Sequence, residues 1–200
     1  MGSEAFAAPQ VERHPLQPFV PQGARLLLLG SFPPAHHRWC MEFFYPNFTN
    51  DMWRIMGLCF CRDKQAFVDE EARTFRKTEI VELLQTRGIA IYDTAIAVVR
   101  TQGTASDKDL LVVEPTPLDA LLARMPQLQA VATTGEKATA LFADHFGIKA
   151  PKVGAWVPFS FQGRTLRLYR MPSSSRAYPM KVEKKALCYE AMLRDLYHDI

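Results

Sequence analysis

Apolar runs of strand length alternate with helix-periodic stretches along this chain. Residues 24–29 (ARLLLL), 88–94 (GIAIYDT), 128–133 (LQAVAT) and 165–171 (TLRLYRM) have the length and apolar density of strands buried on both faces. Helical patterns fill the intervals at 51–60, 63–86, 117–125 and 136–146, and a last one closes the chain over 182–197. Two alternating segments flank Gln162-Gly163, which predicts a hairpin feeding the final core strand. This alternation predicts an α/β protein, a three-layer α/β/α sandwich around a mostly parallel central sheet of about four strands. The proline-containing leader reads as an extended N-terminal arm, residues 1–23, lying on a single domain that spans 1–200.

With 48% hydrophobic and 22% charged residues in 200, the chain has material for one core, and no second domain is expected. No apolar run approaches the roughly twenty residues of a membrane span. The N-terminus also has no basic region followed by a hydrophobic segment, so a cytoplasmic protein with no membrane partner is expected. Gly2 matches a myristoylation signal only in part, because Phe6 stands where Ser or Thr is required. Cys40, Cys59, Cys61 and Cys188 offer one Cys-x-Cys inside an apolar helical run, not the paired spacing of a metal site. They read as structural thiols, and no metal is expected.

The net charge of +3 is too mild to announce a nucleic-acid partner. Its distribution says more: Arg164, Arg167, Arg170, Arg176, Lys181, Lys184 and Lys185 gather near the C-terminus against Glu183 alone. Such a run is either a solvated face or a surface for phosphates.

In open α/β sheets ligands bind outside the carboxyl ends of the strands, so the segments following each strand are where chemistry belongs. The first strand opens into a connection of about twenty residues, GSFPPAHHRWCMEFFYPNFTN, where about four to six would be usual. Trp39, Phe43, Phe44, Tyr45, Phe48 and the following Trp53 give it too much apolar area for disorder, and it reads as a pocket wall. The other strands lead into AIAVVRTQGTASD, TTGEKA and PSSSRAYPM. Neither a G-x-G-x-x-G turn nor a P-loop G-K-[ST] is present, which excludes the common nucleotide sites.

These segments, in order, resemble the uracil-DNA glycosylase superfamily. Gly30-Ser31-Phe32-Pro33-Pro34 is similar to its first motif, a Gly followed by a Pro after the first strand. The similarity is closer to the hypoxanthine-DNA glycosylase-like branch, whose G-S-M-P-G precedes an aromatic pair and H-P-R-N-x-F-W. Phe43-Phe44-Tyr45-Pro46-Asn47-Phe48-Thr49-Asn50-Asp51-Met52-Trp53 fits that pattern with one extra residue and without the His-Pro pair. Asp93, Arg100, Gly103 and Asp107 fit that branch's W-D-V…R-x-G-S-x-D-S, and TTGEKATALF stands where it has N-G-x-x-A-x-x-x-F. MPSSSRAYP resembles the second motif, closest to the M-P-S-S-S of thymine-DNA glycosylases. The matches run from about His14 to the last helix.

The resemblance implies a monofunctional DNA glycosylase, which hydrolyses the N-glycosidic bond of a damaged base such as uracil or hypoxanthine and leaves an abasic site for base excision repair. It implies no metal and no organic cofactor, a monomer, and a DNA partner that is a damaged or mismatched duplex or a single strand. Such an enzyme draws its nucleotide into a snug pocket, stacks the base and holds the flanking phosphates. Gly30, Ser31, Phe32, Pro33, Phe44, Tyr45 and Thr134 are the base-pocket candidates. Ser173, Ser174, Ser175 and Lys181 are candidates for phosphate contact, with Arg176 and Tyr178 as wedges into the space the base vacates.

Two departures matter. Phe32 occupies the position of the water-activating Asp or Asn of the principal enzymes, and Met171 that of the second-motif His. In the hypoxanthine branch the Asn of H-P-R-N takes over, and it maps onto Asn50. Asn50 and Asn47 are therefore the catalytic candidates. Each has a local alternative: an N-cap of the helix at 51–60 for Asn50, and a turn beside Pro46 for Asn47. His36 and His37 read as surface residues, and Asp93 and Asp107 as caps or turn formers. Two other classes of function stay open: a nucleic-acid-binding module that has lost the catalytic group, and an N-glycosidase for free nucleosides. The sequence does not choose the base.

Overall fold

The computed structural model describes residues 10–102 and 107–200. In chain order the elements are β1 (Val11–Arg13), β2 (Leu26–Gly30), α1 (Met52–Cys61), β3 (Val68–Asp69), β4 (Thr74–Phe75), α2 (Lys77–Arg87), β5 (Ile89–Asp93) and β6 (Ala95–Arg100). They continue with β7 (Leu110–Pro115), α3 (Leu118–Ala123), β8 (Ala130–Thr134), α4 (Glu136–Phe146), β9 (Trp156–Phe161), β10 (Arg164–Met171) and α5 (Val182–Leu196).

The central sheet has the order β5-β2-β8-β10-β9, parallel except for β9, which pairs antiparallel at the edge. Every residue of β2, β5 and β8 is buried, as strands covered on both faces must be. The crossover from β2 to β5 runs one way across the sheet and that from β5 to β8 the other. Right-handed connections therefore put α1 and α2 on one face and α3 and α4 on the opposite one. This is the expected α/β/α sandwich, with five central strands instead of four because the hairpin strand β9 joins the sheet.

Two predicted elements came out differently. The stretch 63–86 is not one helix: β3 and β4 form a small hairpin, and α2 begins only at Lys77. The carboxylates of Asp63 and Asp69 accept the backbone N–H groups of Gln65 and Ala72, turns that compete with helix. Arg73 sits in the left-handed region (φ 51), which reverses the chain so that Phe67, Val68 and Phe75 all reach the core. The segment after the second core strand is likewise not a plain loop. It forms β6 and β7, the centre and one edge of an antiparallel sheet β1-β6-β7.

The third strand of that sheet comes from the N-terminal arm. Val11 to Arg13 pair with Val99 to Ala97, His14 N–H donates to Ile96 O (2.8 Å), and Phe19 bridges to Ile91 on the free edge of β5. The arm thus crosses the ends of β6 and β5 and carries His14 beneath the carboxyl end of the central sheet. Residues 1–9 of the arm lie outside the described residues.

Candidate active site

The parallel strands end in register. Gly30 pairs with Asp93, and Thr134 with Met171, so four successive strand ends present Asp93, Gly30, Thr134 and Met171 in a row. All four line a cleft of about 820 Å³, within the size range of small-molecule sites. Gly30 leaves room for the Asp93 carboxylate: a Cβ there would push Asp93 Oδ1 aside and crowd the Tyr45 hydroxyl.

The long loop after β2 forms one wall. Its aromatics divide into core and cleft. Phe43 and Trp53 are buried, edge and face against their neighbours, and Trp53 Nε1 donates to Phe44 O (3.1 Å). Phe44 is 4% exposed between His14, Phe43 and Tyr92, yet its inner edge borders the cleft. Tyr45 has a positive φ of 50, and its hydroxyl lies 3.0 Å from Thr134 Oγ1, which takes the ring across the strand ends. Phe32, with Ser31 and Pro33 in the same lining, packs edge-on against His14 and lies under the Arg100 guanidinium. Arg100 also donates to Pro33 O (2.7 Å) and pairs with Glu12, tying the first-motif turn to the second sheet.

Both candidate asparagines line the cleft. Asn50 Oδ1 accepts Met52 N–H (2.9 Å) at the start of α1, and Asn47 Oδ1 accepts from Thr49 N–H and Oγ1–H. The Asn47 oxygen thus has both lone pairs engaged in its turn, whereas the Asn50 oxygen has one. His36 pairs with Glu42 on the surface, and His37 is exposed.

The second-motif loop, residues 172–179, forms the opposite wall and is pinned from below. Asp51, buried at the entry to α1, donates its N–H to Ser174 O (2.8 Å). Its carboxylate takes Arg176 on one oxygen (3.1 Å) and Lys185 on the other (2.9 Å). Lys185 is fully buried and also donates to Ser175 O (2.7 Å), while Tyr189 OH donates to Pro172 O (3.1 Å). Ser173 Oγ and Ser175 Oγ accept the N–H groups two residues on, so the hydroxyls shape the turn. Ser173, Ser174, Ser175, Arg176 and Tyr178 line the cleft; Lys181 stands just before α5, outside it.

The C-terminal basic run is therefore not one face. Lys185 is an internal ion-pair partner, Arg164 holds Pro126 O and Leu128 O at the far end of β10, and Arg167 lies over Trp156 at the sheet edge. The length of β10 and the inward face of α5 separate what the sequence places together. The cations around the cleft are Arg100, Lys108, Lys137, Arg170 and Arg176, drawn from four regions of the chain. Lys108 and Lys137 carried no signal as isolated residues in the sequence. Gly103 and the side chain of Asp107 lie outside the described residues.

Sequence reasoning also missed the partnership of Asp93 with His14. The carboxylate and ring are 2.7 Å apart, and the His14 side chain is 1% exposed. Residues 79 positions apart on an arm and a strand leave no spacing signal. Burial, with the Asp93 charge beside it, pushes the neighbouring Tyr92 hydroxyl up from its ordinary value.

A buried row of strand ends, a glycine-floored cleft and two flanking loops define an α/β protein with its site at the carboxyl edge of a parallel sheet. Neither a protein-family model nor a curated protein matches the chain. The fold is similar to the solution NMR structure of a protein from Methanosarcina acetivorans provisionally named a uracil DNA glycosylase. The two are 20% identical, the match covers 94% of this chain and 100% of the other, and the TM-score is 0.64. The chain thus has a uracil-DNA glycosylase-like α/β fold.

Proposed function

We propose that this protein is a monofunctional DNA glycosylase that hydrolyses the N-glycosidic bond of a damaged base. The observation that carries the reading is the convergence on one cleft of both motif loops, the strand-end row and cations from separate parts of the chain. The volume suits a flipped nucleotide, the Tyr45 ring offers a stacking surface, and cations around the cleft suit flanking phosphates better than a free nucleoside. The likeness of fold supports the same reading. In this reading the protein acts inside the cell as a monomer and needs neither metal nor organic cofactor. No helix among the described residues is long and apolar enough to cross a membrane.

Asn50 is the water-positioning residue in this reading, and Asn47 assists the turn that presents it. A carbonyl oxygen has two lone pairs, so Asn50 Oδ1 can hold a water while bonded to Met52 N–H. An amide is a weak base, so the sugar develops oxocarbenium character before the water loses its proton, and turnover is modest. Asn50→Ala is expected to abolish base release in single-turnover assays on a lesion panel that includes uracil and hypoxanthine, while lesion binding persists. A pure cap would instead cost about 0.5–2 kcal/mol of stability and leave the chemical rate intact.

Phe32 and the turn bonds of both asparagines favour a second reading, a DNA-binding module of the same fold. Tight lesion binding by wild-type protein with no base released from any lesion would establish it instead.

A further inference from the structure

Three residues beyond the rim of the cleft, an exposed tryptophan stands where no core requires it. Trp156 opens the edge strand β9 opposite Tyr169 of β10 and is 45% exposed, whereas Trp53 is fully buried and Trp39 partly so. The ring is nevertheless held. The Arg167 guanidinium lies 5.0 Å from its centroid and donates to the Tyr169 hydroxyl (3.3 Å), which donates in turn to Asp195 on α5 (3.0 Å). The Tyr169 ring itself lies 6.2 Å away at a tilt of 44°. A cation over the ring and a fixed neighbour brace the indole and leave its exposed area open to a planar partner.

Backbone bonds tie this ring to the site. Val153, itself exposed, lines the cleft together with Arg170. Gly154 N–H donates to Arg170 O (2.7 Å) and Arg170 N–H donates to Ala155 O (3.0 Å), so residues 153–156 run along the end of β10 from the rim to the ring. Three residues span about 10 Å at most.

The charge around the ring selects its partner. Residues 147–170 contain Lys149, Lys152, Arg164, Arg167 and Arg170 and no acidic residue, and Asp195, which does reach this face, is engaged by Tyr169. Pro158 stands on the edge strand without an N–H, which opposes the addition of another protein strand there. An open aromatic face, adjoining cations and a blocked edge fit a nucleic-acid strand with an unpaired base better than a peptide.

We propose that Trp156, braced by Arg167, is a second stacking platform that takes an unpaired base of the lesion strand on one side of the cleft. The proposal rests on the reading that the cleft receives a flipped nucleotide, and it adds the class of substrate: lesions flanked on that side by single-stranded or frayed DNA, in preference to continuous duplex. A paired base is already stacked on its neighbours and gains nothing from the indole, whereas an unpaired base gains a face. Stacking of this kind tolerates any base, so the platform selects the setting of the lesion and not its identity.

The probes are DNAs with an abasic-site analogue at the lesion position, one of them a full duplex. In the other two the complementary strand is cut back, so that the lesion strand is unpaired on its 5′ or its 3′ side from about three nucleotides away, the reach of about 10 Å at about 3.4 Å per nucleotide. One tail, not both, is expected to tighten binding about fivefold or more over the full duplex and to quench tryptophan emission. Trp156→Ala should lose both the gain and the quench. Trp156→Phe keeps a ring at the same edge position, so it should retain most of the gain while losing the quench, and it decides the matter if Trp156→Ala does not fold. Equal binding of the three probes, an equal gain from either tail, an undiminished gain in Trp156→Ala or a quench that persists in Trp156→Phe overturns the proposal. With base release from lesion duplexes intact, the glycosylase reading then stands and the exposed ring is left to a protein partner. No binding to any probe and no release from any lesion overturns both.

Discussion

Tyr45 shows what a single residue contributes to the cleft. A tyrosine at φ 50 holds a backbone conformation that costs on the order of 1–3 kcal/mol for a non-glycine residue. Its hydroxyl bond to Thr134 and its edge contact with Trp53 hold it there. Tyr45→Phe keeps the ring and removes the bond, so about 0.5–1.5 kcal/mol of stability should be lost with stacking on DNA retained. Tyr45→Gly relieves the backbone and removes the ring. Its expected signature is binding weakened by about 1–3 kcal/mol with a small change in stability. Phe44→Ala is the contrast, because a ring buried among His14, Phe43 and Tyr92 should cost about 3–5 kcal/mol of fold stability. Thermal denaturation beside binding to an abasic-site analogue separates the three.

Among the elements, the joint between α1, α5 and the second-motif loop decides how firmly the cleft is built. Asp51 at the start of α1 holds Arg176 from the loop and Lys185 from α5, and Lys185 in turn holds a loop carbonyl. Removing one partner of a buried pair strands the other, which typically costs about 3–5 kcal/mol. Lys185→Met leaves Asp51 only Arg176, so it should lower stability by less than that amount and loosen residues 172–179, read as faster tryptic cleavage after Arg176 under native conditions. Adding Asp51→Asn to it should cost less than the sum of the two changes, because the stranded charge is removed. Denaturant unfolding of the single and double variants checks both statements.

Across the whole molecule, the buried ionisable groups set an alkaline limit. Burial pushes the Cys59 thiol from an ordinary 9.0, and the Tyr197 hydroxyl from 10.0, to about 12, and it pushes Tyr189 well above its ordinary value. In this range the unfolded chain releases protons that the folded protein keeps, so unfolding becomes more favourable as pH rises. The contribution is whole below the ordinary thiol value and is lost progressively from there toward about 12. The melting temperature should hold steady up to about pH 8 and fall steeply by about pH 11. Replacing Cys59 by Ala should flatten the early part of that fall, which calorimetry across the series would read.

The sequence by itself determined the layers of this protein and the edge at which its site lies. Apolar runs as short as those at 26–29, 89–92 and 130–132 bury a strand on both faces only if helices cover both, and the ends of such strands are where small and polar residues can meet. Those signals are local, and the first-motif turn, the aromatic wall and the second-motif serines were legible for that reason. Tertiary structure decided everything that depended on partners distant in sequence. It broke the first half of the helix expected over 63–86 because Phe67, Val68 and Phe75 reach the core only through a turn, and it divided the C-terminal basic run between the two ends and edge of β10 and the inner face of α5. It also turned Lys185 inward to Asp51 and brought His14 from the arm to Asp93. Each of these joins residues by burial and charge across the fold, and no spacing along a chain records which carboxylate a distant histidine or lysine will meet.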